Sequence, residues 1–288
     1  MSILEIIKAI ILGIVEGITE WLPISSTGHL ILVDEFLKLK ETDAFKEMFD
    51  VVIQLGAIMA VVVIFWKKLW PFGSKNNNAP LSKEGFGALV KKDIFIMWFK
   101  VLAACIPAAI VGVTIDDWID EHFYNPWVVA IALIVFGIAF IIVENWNKGR
   151  TPRVREIAQL AYKDAFIIGM FQLLAALFPG TSRSGATIVG ALLIGVSRAV
   201  AAEFTFFLAI PVMFGASLLK LVKYFHEGNS FTGQQSAILA VGMIVAFFVS
   251  IFVIKFLMDY IKKHDFKAFG WYRIILGALV IIYFTVVR

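Results

Sequence analysis

Six long, almost uncharged apolar stretches constrain the fold of this chain more than any other feature of its 288 residues. A helix needs about 20 mostly apolar residues to cross the ~30 Å hydrocarbon core of a bilayer. All six stretches are close to this length, so each is predicted to be a membrane-spanning helix. They cover residues 49–66, 94–113, 127–143, 204–222, 237–258 and 271–287.

The composition excludes most other classes of protein. Hydrophobic residues make up 60% of the chain and charged residues 17%, and the mean hydropathy is +0.86. A soluble protein of this size could not keep so much apolar surface away from water. Abundant Phe and Trp exclude a disordered chain, and the single cysteine, Cys105, excludes a disulfide scaffold. The net charge of +4 is small and is expected to come from basic cytoplasmic loops, so the predicted partner is the lipid bilayer and not nucleic acid.

The distribution of Lys and Arg between the connections predicts the orientation in the membrane. Three connections are rich in these residues and are predicted to be cytoplasmic. They are residues 67–93, 144–163 and 259–270. The connection 114–126 has no Lys or Arg and is predicted to be external, and alternation then places the segments 33–47 and 223–235 outside as well. The acidic residues of this external connection are Asp116, Asp117, Asp120 and Glu121.

Two further apolar regions, 3–32 and 158–196, are interrupted in the middle by polar residues, Gly and Pro. The second begins and ends on the predicted cytoplasmic side, so we predict a re-entrant hairpin there and not a span. Its second limb, 186–196, supports this, because 11 helical residues rise only ~16 Å. The first region is predicted to be a matching hairpin that enters from the outside.

The two interrupted regions align at a constant offset of 156 residues. Small and turn-forming residues match as well as apolar ones, which argues against chance similarity. The aligned pairs are Ala9 with Ala165, Ile11 with Ile167, Gly13 with Gly169, Glu16 with Gln172, Pro23 with Pro179, Ser26 with Ser182, and Glu47 with Glu203. An odd number of crossings separates the halves, so we predict an all-α polytopic membrane protein with an inverted-topology repeat, about six full spans and two re-entrant helical hairpins. The single membrane domain covers 1–288, with repeats at about 1–143 and 157–288.

Two acids in the first interrupted region indicate a metal. Glu16 and Glu20 are four residues apart, so a helix presents both carboxylates on one face. Two acids in an apolar helix are costly unless a cation holds them. Mg²⁺ typically binds through one or two carboxylates plus substrate phosphates, so Glu16 and Glu20 are candidate ligands of Mg²⁺ or Ca²⁺. The alternative is that they reach an interface or pair with a lysine.

The second break, 179–185, indicates a phosphate site. Arg183 is flanked there by hydroxyls and glycines at the start of a short helix. A guanidinium at membrane depth beside a helix N-terminus suits a phosphate, whereas the alternative is a plain turn with hydroxyl caps. Residues 25–29 open a helix in the same way, so two half-helix N-termini are expected to face one cavity near the midplane. The candidate substrate-binding residues are Arg183, Ser182, Thr27, Ser184 and Ser25.

His29 is the only histidine in either hairpin, and it follows Ser26 by three residues. It is a candidate general acid or base, the alternative being an ordinary interfacial histidine. The charge balance also matters, because two glutamates and one arginine leave the site negative before an anionic phosphate ester arrives. Binding of a phosphate ester is therefore expected to require a divalent cation.

The two motifs resemble those of a known family. Their sequences are Glu16-x-x-x-Glu20-x-x-Pro23-x-Ser-Ser-Thr-Gly-His29 and Pro179-Gly-Thr-Ser-Arg183-Ser-Gly. Both closely resemble the motifs of the bacterial undecaprenyl-pyrophosphate phosphatase family, also called the bacitracin-resistance proteins, and the resemblance extends over essentially the whole chain. It implies a plasma-membrane enzyme that hydrolyses a polyprenyl diphosphate to the monophosphate carrier lipid and phosphate with a divalent metal. The resemblance also implies that Glu16 and Glu20 form the acidic motif of the family. It implies that Ser26 and His29 are its hydroxyl and imidazole groups, and that Arg183 is its phosphate-binding arginine.

The resulting hypothesis has Ser26 or a water molecule attacking the terminal phosphorus, with His29 managing the proton and Glu20 and Arg183 completing the catalytic set. The main rival is a transporter or flippase of a lipid phosphate, because inverted repeats with broken helices are transporter architecture. The other large class of membrane lipid phosphatases is excluded, since no His or Asp follows Arg183 before Glu203. The site is expected to be reachable from the external face, and a homodimer remains open.

Overall fold

The computed structural model describes residues 2–73, 77, 79–114, 119, 122, 123 and 125–286. This part of the chain is almost entirely α-helical, and its β-structure is limited to isolated bridges. The helices are α1 (Ile3–Thr19), α2 (Ser26–Phe36), α3 (Asp43–Val52), α4 (Gln54–Ile64), α5 (Trp66–Leu69), α6 (Lys92–Thr114), α7 (Pro126–Trp146), α8 (Tyr162–Leu177), α9 (Arg183–Leu193), α10 (Arg198–His226), α11 (Gly233–Tyr260) and α12 (Lys267–Val286). Two short 3₁₀ turns lie at Phe86–Leu89 and Ile157–Gln159.

Six segments of the described chain are long and apolar enough to cross a membrane, which confirms the predicted number of spans. They are α3 with α4, α6, α7, α10, α11 and α12. The first span, Asp43–Ile64, is two helices because a turn at Ile53 separates them. The protein is therefore an all-α, multi-pass membrane protein.

Each interrupted region folds as a helical hairpin, α1 with α2 and α8 with α9. The short limbs α2 and α9 have 11 residues each, about half the thickness of a bilayer. The sequence places the second short limb at 186–196, but the structure has it three residues earlier. It begins early because Ser182 caps it, and it ends early because Gly195 takes a left-handed φ of +81°.

The packing between hairpins and spans relates the two halves. Helix α1 of the first half packs along α11 of the second, and α8 of the second packs along α6 of the first. The aligned glycines lie at these two crossings. A Cβ on Gly13 would lie 2.7 Å from the Gly242 carbonyl oxygen, and one on Gly169 would lie 2.3 Å from the Ala104 carbonyl oxygen. Membrane helices approach this closely where the interface residues are small. The hairpin of each half therefore packs against a membrane-spanning helix of the other half.

Two ion pairs also join the first half of the chain to the second. Glu47 accepts from Lys220 Nζ at 2.6 Å, and Glu203 accepts from Lys68 Nζ at 2.7 Å. The first pair joins α3 to α10, and the second joins α10 to α5. Glu47 and Glu203, which are aligned in the sequence, thus each form an ion pair with a lysine of the other half. One pair lies near the end of α10 and the other near its start.

The connections cluster at two opposite ends of the helix bundle. At one end, Gln234 and Gln235 donate to Glu41 at 3.0 and 2.9 Å, which joins the 33–47 segment to the start of α11. At the other end, Arg198 donates to Glu144 at 2.5 Å and joins the start of α10 to the end of α7. The first end corresponds to the predicted external side and the second to the cytoplasmic side. The predicted external acids Asp116, Asp117, Asp120 and Glu121 lie outside the described residues, as does Lys75, one of the lysines of the predicted cytoplasmic connection 67–93.

Candidate active site

Both hairpins break at a serine with a left-handed backbone. Ser25 has a φ of +78° and Ser182 a φ of +68°, and no other non-glycine residue in the described part of the chain has a positive φ. Such conformations cost of order 1–3 kcal/mol each and cluster at functional sites. Each serine Oγ accepts a hydrogen bond from a glycine N–H three residues on, from Gly28 at 3.2 Å and from Gly185 at 3.1 Å. Ser25 and Ser182 are therefore the N-caps of α2 and α9.

These caps correct the sequence alignment of the two breaks by one residue. The constant offset pairs Ser26 with Ser182, whereas in the structure the counterpart of Ser182 is Ser25. The second break has one additional residue between its proline and its capping serine, which the constant offset does not allow for. Ser26 and Arg183 are consequently equivalent, since each is the first residue of its short helix.

Glu20 joins these two equivalent residues. Its Oε2 accepts from Ser26 Oγ at 2.8 Å, and its Oε1 accepts from Arg183 Nη2 at 3.0 Å. Arg183 Nη1 also donates to the Thr205 carbonyl oxygen at 3.1 Å, which fixes the guanidinium plane. Its Nε finds no partner among the described residues and remains a donor for an anion. Three residues that the sequence predicts as catalytic are thus in direct contact.

Glu16 lies one helical turn before Glu20 and is fully buried. Neither of its carboxylate oxygens has a hydrogen-bond partner among the residues that the structure describes. Burial of an uncompensated carboxylate costs several kcal/mol, so this position calls for a cation or a proton. No group of three or more His, Cys, Asp or Glu side chains in the described chain is arranged to hold a metal. The two unpartnered oxygens of Glu16 are hard donors of the kind that Mg²⁺ or Ca²⁺ takes, and Glu16 with Glu20 could supply part of a ligand set that substrate phosphates and water would complete.

His29 faces away from this contact network. Its Nδ1 lies 2.7 Å from the Ser25 carbonyl oxygen, and its Nε2 lies 2.7 Å from the Tyr272 hydroxyl. A carbonyl oxygen only accepts, so Nδ1 carries a proton, and Nε2 shares a hydrogen bond with the Tyr272 hydroxyl. The His29 and Tyr272 rings are also parallel, with an angle of 2° between their planes. The structure therefore ties His29 to the strained serine of the first break, and its hydrogen bonds do not go to Ser26.

The candidate binding hydroxyls divide into two kinds. The Oγ atoms of Ser25 and Ser182 serve as caps, as described above. Ser184 is buried and donates to the main-chain carbonyl oxygen of Glu20 at 3.2 Å, which joins the two breaks. Thr27 is half-buried in the first turn of α2. Thr27 directly follows Ser26, the first residue of α2, and Ser184 directly follows Arg183, the first residue of α9.

Arg273 joins the two breaks, and it is not among the site residues that the sequence predicts. It is fully buried in α12 and donates to carbonyl oxygens of both breaks: to Pro23 at 3.2 Å, and to Gly180 and Thr181 at 3.0 and 2.8 Å. These carbonyls precede the two left-handed serines, so one guanidinium holds both strained turns. One signal was available, because a lone Arg inside the apolar stretch 271–287 is costly unless it has a role.

The family follows from comparison with known proteins. The model of the family described as "Bacitracin resistance protein BacA" matches residues 9–279, which is most of the chain and includes both breaks. The chain belongs to the BacA family. Every residue of the network around Glu20 lies within the matched range.

Curated relatives of this family member are similar over nearly their whole length. A protein from Desulfitobacterium hafniense named undecaprenyl-diphosphatase is 62% identical over 285 residues, covering 99% of this chain and 98% of its own. Undecaprenyl-diphosphatase 1 from Clostridium acetobutylicum is 62% identical over 287 residues, covering 100% of both chains. An Enterococcus faecalis undecaprenyl-diphosphatase is 60% identical over 282 residues, covering 98% of both.

Proposed function

We propose that this BacA family member is a membrane phosphatase that hydrolyses undecaprenyl diphosphate to undecaprenyl phosphate and inorganic phosphate. The relatives named above carry this activity in their names. The observation that carries the proposal is the contact of Ser26 and Arg183 with the two oxygens of Glu20, between two helix N-termini. The reaction returns the carrier lipid for cell-wall synthesis, which accounts for a bacitracin-resistance role.

The diphosphate would bind between the starts of α2 and α9. Helix N-termini present free N–H groups and a partial positive charge to an anion. Arg183 supplies a full charge, and its Nε has no partner among the described residues and can donate to a phosphoryl oxygen. Thr27, in the first turn of α2, is a further candidate donor, whereas the Ser184 hydroxyl donates to the Glu20 carbonyl oxygen. The polyprenyl tail would lie between apolar helices that are open to lipid.

A bound Mg²⁺ or Ca²⁺, held by Glu16 and Glu20, would neutralise charge on the diphosphate and on its leaving group. The orphaned carboxylate of Glu16 supports this assignment. Without a cation, Glu16 and Glu20 would repel the anionic substrate that Arg183 attracts.

The hydrogen bond from Ser26 to Glu20 supports Glu20 as the acceptor of the first proton. If Ser26 Oγ attacks the terminal phosphorus, its proton moves to Glu20 Oε2, the bond to the bridging oxygen breaks, and undecaprenyl phosphate leaves. Water then hydrolyses the phosphoserine and releases inorganic phosphate. In the alternative, water attacks directly and Ser26 orients it. His29 lies one turn after Ser26 on α2, but both of its ring nitrogens are hydrogen-bonded, to Ser25 and to Tyr272. It can take the proton of that water only if the Tyr272 contact opens.

The decisive experiment measures phosphate release from a polyprenyl diphosphate by the purified protein in detergent, with Mg²⁺ and with a chelator. Arg183→Lys keeps a cation beside the buried Glu20 carboxylate but loses the planar donor set, so release should fall strongly while the melting temperature stays within a few degrees of the parent's. The matched control is Arg150→Lys, at an exposed arginine of the cytoplasmic connection 144–163. A parent protein that releases no phosphate would contradict the enzyme proposal.

A lipid-phosphate transporter is the second candidate, favoured by the two broken helices that meet at the centre of an inverted repeat. Reconstitution in vesicles separates the two, because a transporter moves labelled polyprenyl phosphate across the bilayer even when Ser26→Ala has removed hydrolysis.

We place the protein in the plasma membrane with its site open to the external face. Arg273 is six residues from the cytoplasmic start of α12, and its contact Leu133 is seven residues from the external start of α7. The two breaks that Arg273 holds therefore lie inside the bilayer and near neither surface. Access from the external face is the direction from which the diphosphate would reach them, and labelling of a Thr27→Cys variant with a membrane-impermeant reagent tests it. Cross-linking in detergent and in membranes would test a homodimer.

A further inference from the structure

A cavity of about 870 Å³ opens at the cytoplasmic end of the bundle, between α5, the start of α6 and the start of α10. The turn Ile157–Gln159 closes one side of it. None of the residues around Glu20 lines this cavity, so it is separate from the active site. Nothing in the proposed hydrolysis uses it.

Lys100 is the unusual residue of this cavity. It lies in the third turn of α6, inside a predicted span, and is only 6% exposed. Its Nζ donates to the Ala158 carbonyl oxygen at 3.2 Å. Asp164 is the acid that acts on it electrostatically, but the Asp164 carboxylate is held by Arg153 at 2.7 Å and by the Ala161 N–H at 3.0 Å. A lysine ammonium has three donors, so Lys100 retains donors for an anion in the cavity.

The cavity as a whole has an excess of positive charge. Five cationic and three acidic side chains line it. The cations are Lys67, Lys68, Lys91, Lys100 and Arg155, and the acids are Asp93, Glu156 and Glu203. Lys68 is paired with Glu203, whereas Lys67 is exposed at the mouth. A buried cation below a basic mouth is an arrangement that suits a phosphate group.

The wall of the cavity is aromatic and apolar. Trp66 and Trp70 stack with their ring centres 4.8 Å apart, and both are about half exposed. Tryptophan is enriched at the membrane–water interface, where its ring lies at the depth of the lipid headgroups. Met97, Ile157 and Phe207 line the cavity below this pair. The site therefore combines a phosphate-binding end with a surface for a hydrocarbon chain.

We propose that this cavity binds the phosphate group of an anionic membrane lipid from the cytoplasmic leaflet, with Lys100 as its anchor. The lysines at the mouth meet the same headgroup, and the lipid chains lie along Trp66 and Trp70. Basic pockets between membrane helices on the cytoplasmic side are suited to such headgroups. The lipid would tie the connection 144–163 to α6 through the Lys100–Ala158 contact.

Thermal melting in a neutral detergent tests the proposal, because a ligand that binds only the folded protein raises Tm. The probes are phosphatidylglycerol, phosphatidylcholine with the same chains, and inorganic phosphate. Phosphatidylglycerol should raise the Tm of the parent and the other two should not. Lys100→Gln should lose most of this rise and weaken phosphatidylglycerol binding, measured by native mass spectrometry, by about fivefold, the effect of one lysine near an anionic lipid.

The matched control is Lys255→Gln, since Lys255 is an exposed lysine in α11, also near the cytoplasmic end of its span. It should keep the full rise in Tm. If Lys100→Gln does not fold, the double substitution Lys67→Gln and Lys91→Gln at the mouth should weaken binding instead. Equal phosphatidylglycerol binding by parent and folded variants would overturn the proposal. A rise in Tm with inorganic phosphate equal to that with phosphatidylglycerol would overturn the lipid assignment.

Discussion

Ser26 and Arg183 occupy equivalent positions in the two halves of the molecule, and both donate to the same carboxylate, that of Glu20, at 2.8 and 3.0 Å. Each is the first residue of a short helix that follows a left-handed serine. The inverted repeat thus places two chemically different groups, a hydroxyl and a guanidinium, on either side of one acid. Only the first half supplies the acid, because the residue four positions after Gln172 is Ala176.

This arrangement predicts distinct effects of Glu20→Gln and Ser26→Ala. Glu20→Gln keeps the side-chain shape but removes the proton acceptor, so kcat should fall by about 10²–10⁴-fold. The kcat of Ser26→Ala should fall at least as far if Ser26 is the nucleophile. Quenched single-turnover reactions analysed by mass spectrometry should reveal phosphate on Ser26 in the parent. Absence of phosphoserine together with measurable turnover by Ser26→Ala would favour direct attack by water.

Glu16→Gln should weaken metal binding without loss of folding. Gln172 provides the reason, since it is the counterpart of Glu16 in α8, is buried, and has no side-chain partner among the described residues. A buried glutamine is therefore tolerated at this place in the repeat. Loss of a residue that only hydrogen-bonds a metal ligand costs ~10–100-fold in activity, so loss of a direct ligand should cost at least as much. Calorimetric titration with Mg²⁺ or Ca²⁺ in the presence of a non-hydrolysable diphosphate should show weakened binding, while Tm stays at or above that of the parent. An unchanged metal affinity would remove Glu16 from the ligand set.

Much of this architecture was predictable because membranes impose simple rules. The spans follow from the length of the apolar stretches. The equivalence of Gly13 and Gly169 follows from the constant offset, and in the structure both glycines lie at close helix crossings. The slip of one residue between the breaks was not predictable, because it depends on a serine with a positive φ, which side-chain preferences disfavour. The lone Arg273 in an apolar stretch indicates that it has a role, but its partners were not predictable. They are main-chain oxygens from two distant segments, and main-chain oxygens have no sequence signature.

Arg273→Lys should disturb both breaks together. Lysine has three donors on one atom and cannot reproduce the planar set of contacts, so carbonyl oxygens of Pro23, Gly180 or Thr181 lose their partners. Each buried polar group left unpaired costs ~1–3 kcal/mol. Tm should fall by at least about 5 °C. At temperatures where the variant is still folded, kcat/KM should also fall, because Ser26 and Arg183 directly follow the loosened turns. Arg150→Lys on the cytoplasmic connection is the control, and an Arg273→Lys variant with parental Tm and kinetics would contradict this role.

The packing of each hairpin against a helix of the other half predicts opposite effects for two glycine substitutions. Gly169→Ala places a Cβ 2.3 Å from the Ala104 carbonyl oxygen, so α8 and α6 must separate, and overpacking of this kind costs ~1–3 kcal/mol. A Cβ on Gly215, inside α10, would meet no described atom within 4 Å, so Gly215→Ala gains helix propensity of up to ~1 kcal/mol. Melting in detergent should show a lower Tm for the first variant and an unchanged or higher Tm for the second. Because α9 follows α8 directly, Gly169→Ala should also weaken substrate binding by Arg183, whereas Gly215→Ala should not. Equal Tm values for the two variants would mean that α8 and α6 do not approach at Gly169.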